Sequence, residues 1–443
     1  MNMEAIDLLI DARWVIPVDP AMRILEEHSV AVHKGRILAV LPQQEARAAY
    51  RAAERVSLPN HALIPGMVNL HTHAAMALMR GYADELPLSQ WLQQRIWPAE
   101  AKHVSPRFVY DGTLLACAEM LRGGITCFND MYLYPGEAAR AALAAGMRAA
   151  LGLVVIDLPT AYATDADDYI AKGLDLRDTL RDQPLLSFCM APHAPYSVGD
   201  NTFSRLITLA EELDLPVHMH LHETGDEIAR SLAQYGMRPL ARLQRLGLVG
   251  PNLIAVHAIH FTPEEIALLA QNGSAVAHCP SSNLKFANGF ARIANMLEQG
   301  LSVGLGTDGA ASNNRLDLFQ EMRLAALLAK AVSGDAGALP AHRALAMATL
   351  DGARALRLDH AIGSIEAGKF ADLAAVEFAS LEMQPSYDPI SHIVYAAGRE
   401  NVSHVWVAGR LLVEERTLNS LAKNDLENLS VLWQNRLSME TKA

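Results

Sequence analysis

The sequence has few cysteines and none of the pairings that form disulfides or thiolate metal sites. Cys117, Cys127, Cys189 and Cys279 are scattered, without a C-x-x-C pair. Such a distribution is typical of reduced core residues in a cytoplasmic protein. The start, MNMEAIDLLIDARW, also lacks the basic segment followed by an apolar core that a secretory signal needs. We therefore expect a cytoplasmic location.

The chain is also short of positive charge and of long apolar runs. Its formal net charge of −12 at pH 7 argues against a nucleic-acid backbone or an anionic membrane surface as a partner. The best candidate for a membrane span, AALAAGMRAALGLVVIDLP, is interrupted by Arg148 and Asp157. A glycine-rich phosphate fingerprint is missing too, which disfavours a doubly wound dinucleotide-binding sheet.

The chain does contain eight short apolar runs that alternate with Ala- and Leu-rich stretches of helical spacing. The runs span residues 67–73, 125–132, 149–157, 186–195, 216–223, 253–260, 274–280 and 302–308. Eight strand-plus-helix units predict a closed α/β barrel, the (β/α)8 or TIM-like fold, in which functional groups lie at the carboxyl ends of the strands. The 443 residues are enough for this barrel and one smaller module.

Both ends of the chain are rich in short β-strands with turn signals, such as Lys34-Gly35 and Pro59-Asn60. The same pattern of short strand-like runs and turn residues recurs in GSIEAGKFADLAAVEF and VSHVWVAGRLLVEE. We therefore predict a small β-sandwich domain built from residues 1–62 and 364–443, the latter with a terminal helix. The barrel then occupies residues 63–363.

His71 and His73 form a His-x-His pair at the end of the first barrel run. Successive strand side chains alternate between faces, so both imidazoles project to one side and can bind one cation. In a chain with 17 histidines such a pair can arise by chance, but the Pro-Gly turn before it favours a metal site. A distant imidazole from run 216–223 and Asp308 can complete the site. His218, His220 and His222 share one predicted strand face, so the pattern alone does not select one of them.

Six motifs together resemble the amidohydrolase superfamily, in particular its branch of chlorohydrolases and deaminases. They are PGMVNLHTHAAM, APHAPYS, HMHLHET, AVHAIH, CPSSNLKFANG and GLGTDGAASNN. The resemblance runs from the N-terminal β-segment to about residue 415. It implies a metal site with four ligands, namely His71, His73, His220 and Asp308.

The resemblance also implies roles in catalysis and substrate binding. Glu223 is the implied general acid/base, and His257 orients the attacking water together with Asp308. Trp91, Glu100 and His193 are the implied contacts to a nucleoside, with Ser282 and Asn283 beside the site. One zinc ion per chain is the expected cofactor, although iron, manganese and cobalt accept the same ligands. Many superfamily members bridge two metals with a lysine; strands two to six offer none, so we expect a mononuclear centre.

The implied reaction is the hydrolytic deamination of an adenine nucleoside to the hypoxanthine nucleoside and ammonia. The partner is then a small-molecule nucleoside, without nucleic acid or membrane, and a homo-oligomer is left open. Alternatives are a deaminase or chlorohydrolase of another heterocycle (guanine-like, pterin or triazine) and a hydrolase of cyclic amides, which usually needs the missing lysine. An alternative of another class is a non-catalytic metal-binding protein.

The segment DLPTAYATDADDY suggests which nucleoside is preferred. It has four aspartates and no basic residue, so it disfavours the carboxylate tail of S-adenosylhomocysteine. We therefore favour 5′-methylthioadenosine, followed by adenosine. Arg140 and Arg148 are the basic residues that could still grip a carboxylate from neighbouring segments.

Overall fold

The computed structural model describes residues 3–18 and 22–438, which form two eight-stranded sheets. The chain begins in the small sheet with strands β1 (Glu4–Val15), β2 (Leu25–His33), β3 (Arg36–Pro42) and β4 (Tyr50–Pro65). The predicted turn at Lys34-Gly35 is confirmed, because both residues have positive φ angles between β2 and β3. The predicted turn at Pro59-Asn60 is wrong: both residues lie within β4, where pairing with β1 shifts register. Such a bulge accommodates a proline that has no N–H to donate.

The second sheet contains the eight predicted runs as parallel strands paired in chain order. They are β5 (Met67–Thr72), β6 (Ile125–Asp130), β7 (Arg148–Val155), β8 (Leu186–Pro192), β9 (Val217–Leu221), β10 (Leu253–His257), β11 (Ala275–His278) and β12 (Ser302–Leu305). The backbone N–H of Asp308, just beyond β12, donates to the carbonyl of His71 on β5 at 3.0 Å. This bond brings the last strand beside the first, and the predicted barrel is confirmed.

The chain returns to the small sheet through β13 (Leu373–Glu377), β14 (Val402–Val407), β15 (Arg410–Glu414) and β16 (Thr417–Leu418). Strand β13 pairs antiparallel with β4, with Ala375 opposite Leu63. The prediction of one small β-domain from both chain ends is therefore confirmed. The exact boundaries at residues 62/63 and 363/364 stay a prediction.

Eighteen α-helices lie in the described residues, most of them between consecutive barrel strands. The first nine are α1 (Gln43–Ala49), α2 (Leu88–Trp91), α3 (Trp97–His103), α4 (Pro106–Arg122), α5 (Pro135–Ala145), α6 (Ala166–Leu180), α7 (Asp200–Glu212), α8 (Gly225–Tyr235) and α9 (Pro239–Leu246). The others are α10 (Pro263–Gln271), α11 (Pro280–Lys285), α12 (Ile293–Glu298), α13 (Ala310–Asn313), α14 (Leu318–Ser333), α15 (Ala341–Met347), α16 (Leu350–Ala355), α17 (Pro389–Tyr395) and α18 (Lys423–Ser438). Among the residues described, no helix has both the length and the apolar character that a membrane crossing requires.

A buried ion pair ties the barrel to the small sheet. Arg148 begins β7 and donates to both carboxylate oxygens of Asp372, at 2.9 and 3.2 Å, just before β13. A third bond, 3.0 Å long, runs from its guanidinium to the carbonyl of Pro184. Arg148 therefore lies at the amino end of its strand, opposite the strand ends that carry the histidines, and does not grip a substrate tail. Arg140 is paired with Glu137 on α5.

Breaking this ion pair should destabilise the protein strongly. Arg148→Met leaves the Asp372 carboxylate buried without its cation, which costs about 3–5 kcal/mol in comparable pairs. The free energy of unfolding in urea measures the loss. Adding Asp372→Asn should restore part of it, since the buried charge is then gone. Arg181→Met, at an exposed helix end, is the control that should change little; equal stabilities of wild type and Arg148→Met would contradict the role.

Candidate active site

The histidine pair at the end of β5 is oriented by hydrogen bonds to both Nδ1 atoms. His71 Nδ1 lies 3.0 Å from Nε2 of His218, and His73 Nδ1 lies 2.6 Å from the carbonyl of Met131. The two ring centroids are 4.8 Å apart. With Nδ1 engaged on each ring, Nε2 is the atom left to bind a cation.

Two further histidines, from β9 and β10, have the same arrangement. His220 Nδ1 lies 2.8 Å from the carbonyl of His193, and His257 Nδ1 lies 2.9 Å from Oδ1 of Asn283. The ring of His220 lies 5.0 Å from that of His71 and 5.5 Å from that of His257. Four imidazoles with anchored Nδ1 atoms thus meet at the carboxyl ends of their strands.

Asp308 closes the cluster from the loop after β12. Its Oδ1 lies 3.5 Å from Nε2 of His71 and 3.4 Å from Nε2 of His73. Ser282 donates its hydroxyl to Oδ2 at 2.6 Å, and the N–H of Gly309 donates to Oδ1 at 2.7 Å. The residue has a φ of 60°, a left-handed conformation that the surrounding bonds maintain.

The donor set fits a transition-metal ion such as zinc. Nε2 of His71 is buried and has no hydrogen-bond partner among the described residues, and 3.5 Å to Asp308 is too long for a good bond. Ligand atoms of His71, His73 and Asp308 lie within 4.8 Å of one another, and so do those of His71, His220 and His257. Burial lowers the pKa of His71 to about 3 and that of His220 well below its usual value, so both are neutral, as metal ligands must be. The structure therefore brings the four predicted ligands together.

The other two histidines of the segment 216–223, His218 and His222, have different surroundings. His218 lies one strand layer deeper than His220 and contacts His71. The expectation that His222 shares their face is wrong, because β9 ends at Leu221 and His222 has a φ of 53°. Its Nε2 accepts the N–H of Leu240, so it serves the packing of α9.

Glu223 follows His222 in the chain, beyond the end of β9, and its carboxylate lies beside His257. Its Oε1 is 3.7 Å from Nε2 of His257 and accepts a 3.3 Å bond from the side chain of Asn288. Burial raises the pKa of Glu223, and the charge of Asp308 acts in the same direction while His257 opposes it. The carboxyl can therefore hold a proton at a higher pH than an exposed glutamate can.

Of the three predicted substrate contacts, His193 lies beside the cluster and Glu100 is linked to it through Tyr132, whereas the contacts of Trp91 are with Ala83 and Phe286. His193 has its ring 4.9 Å from that of His220, with Nδ1 2.9 Å from the hydroxyl of Ser197. Glu100 on α3 accepts a 2.7 Å bond from the hydroxyl of Tyr132, whose ring lies 6.3 Å from that of His73. Trp91 on α2 donates to the carbonyl of Ala83, and its ring lies 4.9 Å from that of Phe286 at the end of α11.

Sequence reasoning missed Tyr132, Asn288 and Glu227. Tyr132 follows β6 by two residues, and this position at a strand end is the one signal that pointed to it. Glu227 is buried and accepts the N–H groups of His222 and Glu223 at 3.0 and 2.9 Å. Its place three residues after Thr224 is typical of a helix start and gives no sign that its carboxylate holds the segment with His222 and Glu223. Asn288 lies in the motif CPSSNLKFANG, which pointed to Ser282 and Asn283 and not to this residue.

Comparison with known proteins gives a family and full-length relatives. A model of the amidohydrolase family matches residues 62–412. A protein of Teredinibacter turnerae named 5-methylthioadenosine/S-adenosylhomocysteine deaminase is 46% identical, with 98% of this chain and 99% of that one covered. One of the same name from Saccharophagus degradans is 45% identical, with 99% and 98% covered.

Solved structures show the same similarity. The crystal structure of an adenosine deaminase from Xanthomonas campestris with bound zinc has a TM-score of 0.98 and 50% identity, covering 99% of this chain and 100% of that one. Atrazine chlorohydrolase from Arthrobacter aurescens, complexed with zinc, has a TM-score of 0.89 at 24% identity, covering 96% and 99%. At that identity the likeness shows the fold alone.

Removing the Glu227 carboxylate, which holds the segment with His222 and Glu223, should cost stability. Glu227→Ala leaves two buried N–H groups without an acceptor, and each such loss costs about 1–3 kcal/mol. We expect the free energy of unfolding in urea to fall by about 2–6 kcal/mol. The exposed neighbour Asp226, in the same helical turn, provides the control Asp226→Ala. Equal losses in the two variants would show that the buried bonds do not matter.

Proposed function

Because the chain belongs to the amidohydrolase family, we propose that it is a metal-dependent enzyme that deaminates an adenine nucleoside by hydrolysis. This proposal is carried by the cluster of imidazoles, each held by a hydrogen bond at Nδ1, that lies beside Asp308. The buried carboxyl of Glu223 is adjacent to the same cluster. The relatives named as deaminases, at 45–46% identity over nearly the whole chain, support the same reaction. A non-catalytic metal site would not need an uncoordinated buried carboxyl next to the ligands.

One zinc ion per chain would be held by His71, His73, His220 and Asp308. Bound zinc lowers the pKa of water to roughly 7, which makes a nucleophile available at neutral pH. The zinc in the Xanthomonas campestris deaminase supports this metal. Strands β6 to β10 contain no lysine, and Lys172 pairs with Asp168 on α6, which supports a mononuclear centre.

The residues of the chain then move the protons. Glu223 takes one proton from the attacking water and delivers it to N1 of the adenine ring. His257, held by Asn283, orients that water together with Asp308. Asp308 assists proton transfer to the departing amino group. The C6–N bond breaks, a C6–O bond forms, and the products are the hypoxanthine nucleoside and ammonia.

Recognition of the nucleoside falls to the surrounding side chains. Glu100 accepts from the ribose hydroxyls with the carboxylate oxygen that Tyr132 leaves free. His193 contacts the nucleoside, and Trp91 lines the pocket. All four cysteines are buried free thiols, in keeping with our proposal of a cytoplasmic enzyme.

Metal binding and proton transfer should separate by mutation. Purified protein should contain about one metal ion per chain, as expected for one four-ligand site, and His220→Ala should lose metal and activity together.

Glu223→Gln should keep the metal while kcat falls at least roughly 10²-fold, as is typical of a lost general acid/base. Asp226→Asn, an exposed carboxylate three residues away, is the control. Elemental analysis measures the metal content of each variant, and the rate of ammonia release measures its activity. A wild type that is metal-free and fully active would contradict the proposal.

The acidic loop after β7 bears on the substrate's 5′ group. Asp165 caps α6 by accepting the N–H of Asp168. Asp157 accepts the N–H of Gly199 and the hydroxyl of Thr202. Two ion pairs neutralise the remaining carboxylates, namely Asp168 with Lys172 and Asp167 with Arg205. The loop therefore keeps a smaller excess of negative charge than its sequence suggests.

The preference for 5′-methylthioadenosine over adenosine, and of both over S-adenosylhomocysteine, stays a prediction. It rests on the remaining charge of this loop and on the engagement of Arg140 and Arg148 in ion pairs elsewhere. Initial rates of ammonia release at fixed ionic strength compare the kcat/KM values, since salt screens the loop charge. The highest value for S-adenosylhomocysteine would refute the charge argument. Release from none of the three nucleosides would refute the proposed function.

A further inference from the structure

His71 differs from the other proposed metal ligands in the group that orients its ring. His73 and His220 direct their Nδ1 atoms at backbone carbonyls, of Met131 and His193. His71 directs its Nδ1 at a side chain, Nε2 of His218, at 3.0 Å. Among these three rings, only the orientation of His71 depends on a residue that mutation can remove.

The position of His218 follows from the alternation of β9. His218 and His220 project from the same face of the strand, two residues apart, into the barrel. His218 is fully buried, and its ring centroid lies 5.0 Å from that of His71. His218 therefore lies below the proposed metal site, whereas His220 is one of its proposed ligands.

The hydrogen bond fixes the protonation of both rings. A neutral imidazole has one N–H, and a ring that binds metal through Nε2 must carry its proton on Nδ1. His71 then donates to His218, whose Nε2 must be bare and whose own proton must lie on Nδ1. That Nδ1 is buried and has no hydrogen-bond partner among the described residues.

From this arrangement we propose that His218 is a positioning residue that strengthens metal binding by holding His71 in the ring orientation and tautomer that present Nε2. The inference rests on the metal site of the proposed function. It adds a determinant of metal affinity that touches neither the metal nor the substrate.

The test is a zinc titration of the apoprotein against a competing chromophoric chelator. His218→Ala should raise the zinc dissociation constant by roughly 10- to 100-fold, the usual effect of losing such a partner. His218→Gln should restore most of the affinity, because its side-chain oxygen can reach the place of the imidazole Nε2 and accept from His71. Circular dichroism checks that each variant is folded.

His278→Ala provides the matched control. His278 is buried, ends the strand β11 and has no hydrogen-bond partner at either ring nitrogen within the described residues. Because both variants replace a buried histidine by alanine, His278→Ala removes the same atoms as His218→Ala. We expect near wild-type zinc affinity for this variant. Equal affinities of wild type and folded His218→Ala, or an equal loss in His278→Ala, would overturn the inference. A wild type that binds no zinc would instead overturn the proposed metal site.

Discussion

Hydrogen bonds to the Nδ1 atoms of four histidines are the constraint on which this site depends. Each bond fixes a ring and leaves its Nε2 for metal or substrate. Two of the acceptors lie just after a neighbouring strand of the barrel: Met131 follows β6 and accepts from His73 at the end of β5, and His193 follows β8 and accepts from His220 on β9. The closed barrel is therefore what orients the ligands, and a local strand could not do so alone.

A second layer of buried carboxylates holds the backbone of the site loops. Each accepts a main-chain N–H from a segment that follows a barrel strand, at 2.7, 2.9 and 3.0 Å respectively. They are Asp130 under Ala74, Glu227 under Glu223, and Glu321 under Ser281. Burial raises the pKa of Glu227 and of Glu321 to about 7. These bonds help to hold the proposed acid/base and the proposed ligands at fixed separations, which catalysis by positioned groups requires.

The features that the sequence predicted are those that depend on a local periodicity of side chains. Eight apolar runs located the barrel strands, and two-residue alternation placed His71 and His73 on one face. Local signals failed where tertiary pairing decides: Pro59 lies in a bulged strand, and His222 leaves the strand face because its φ is positive. The contact between His71 and His218 crosses 147 residues of sequence. Only closure of the barrel brings such a pair together.

The central claim is that water replaces the amino group at C6 of an adenine nucleoside. Turnover of adenosine or 5′-methylthioadenosine in H₂¹⁸O, followed by mass spectrometry of the products, tests it most directly. We expect one ¹⁸O on C6 of the purine base of the product and one ammonia per turnover, with the glycosidic bond intact. Release of free adenine, with the label on the sugar, would contradict it.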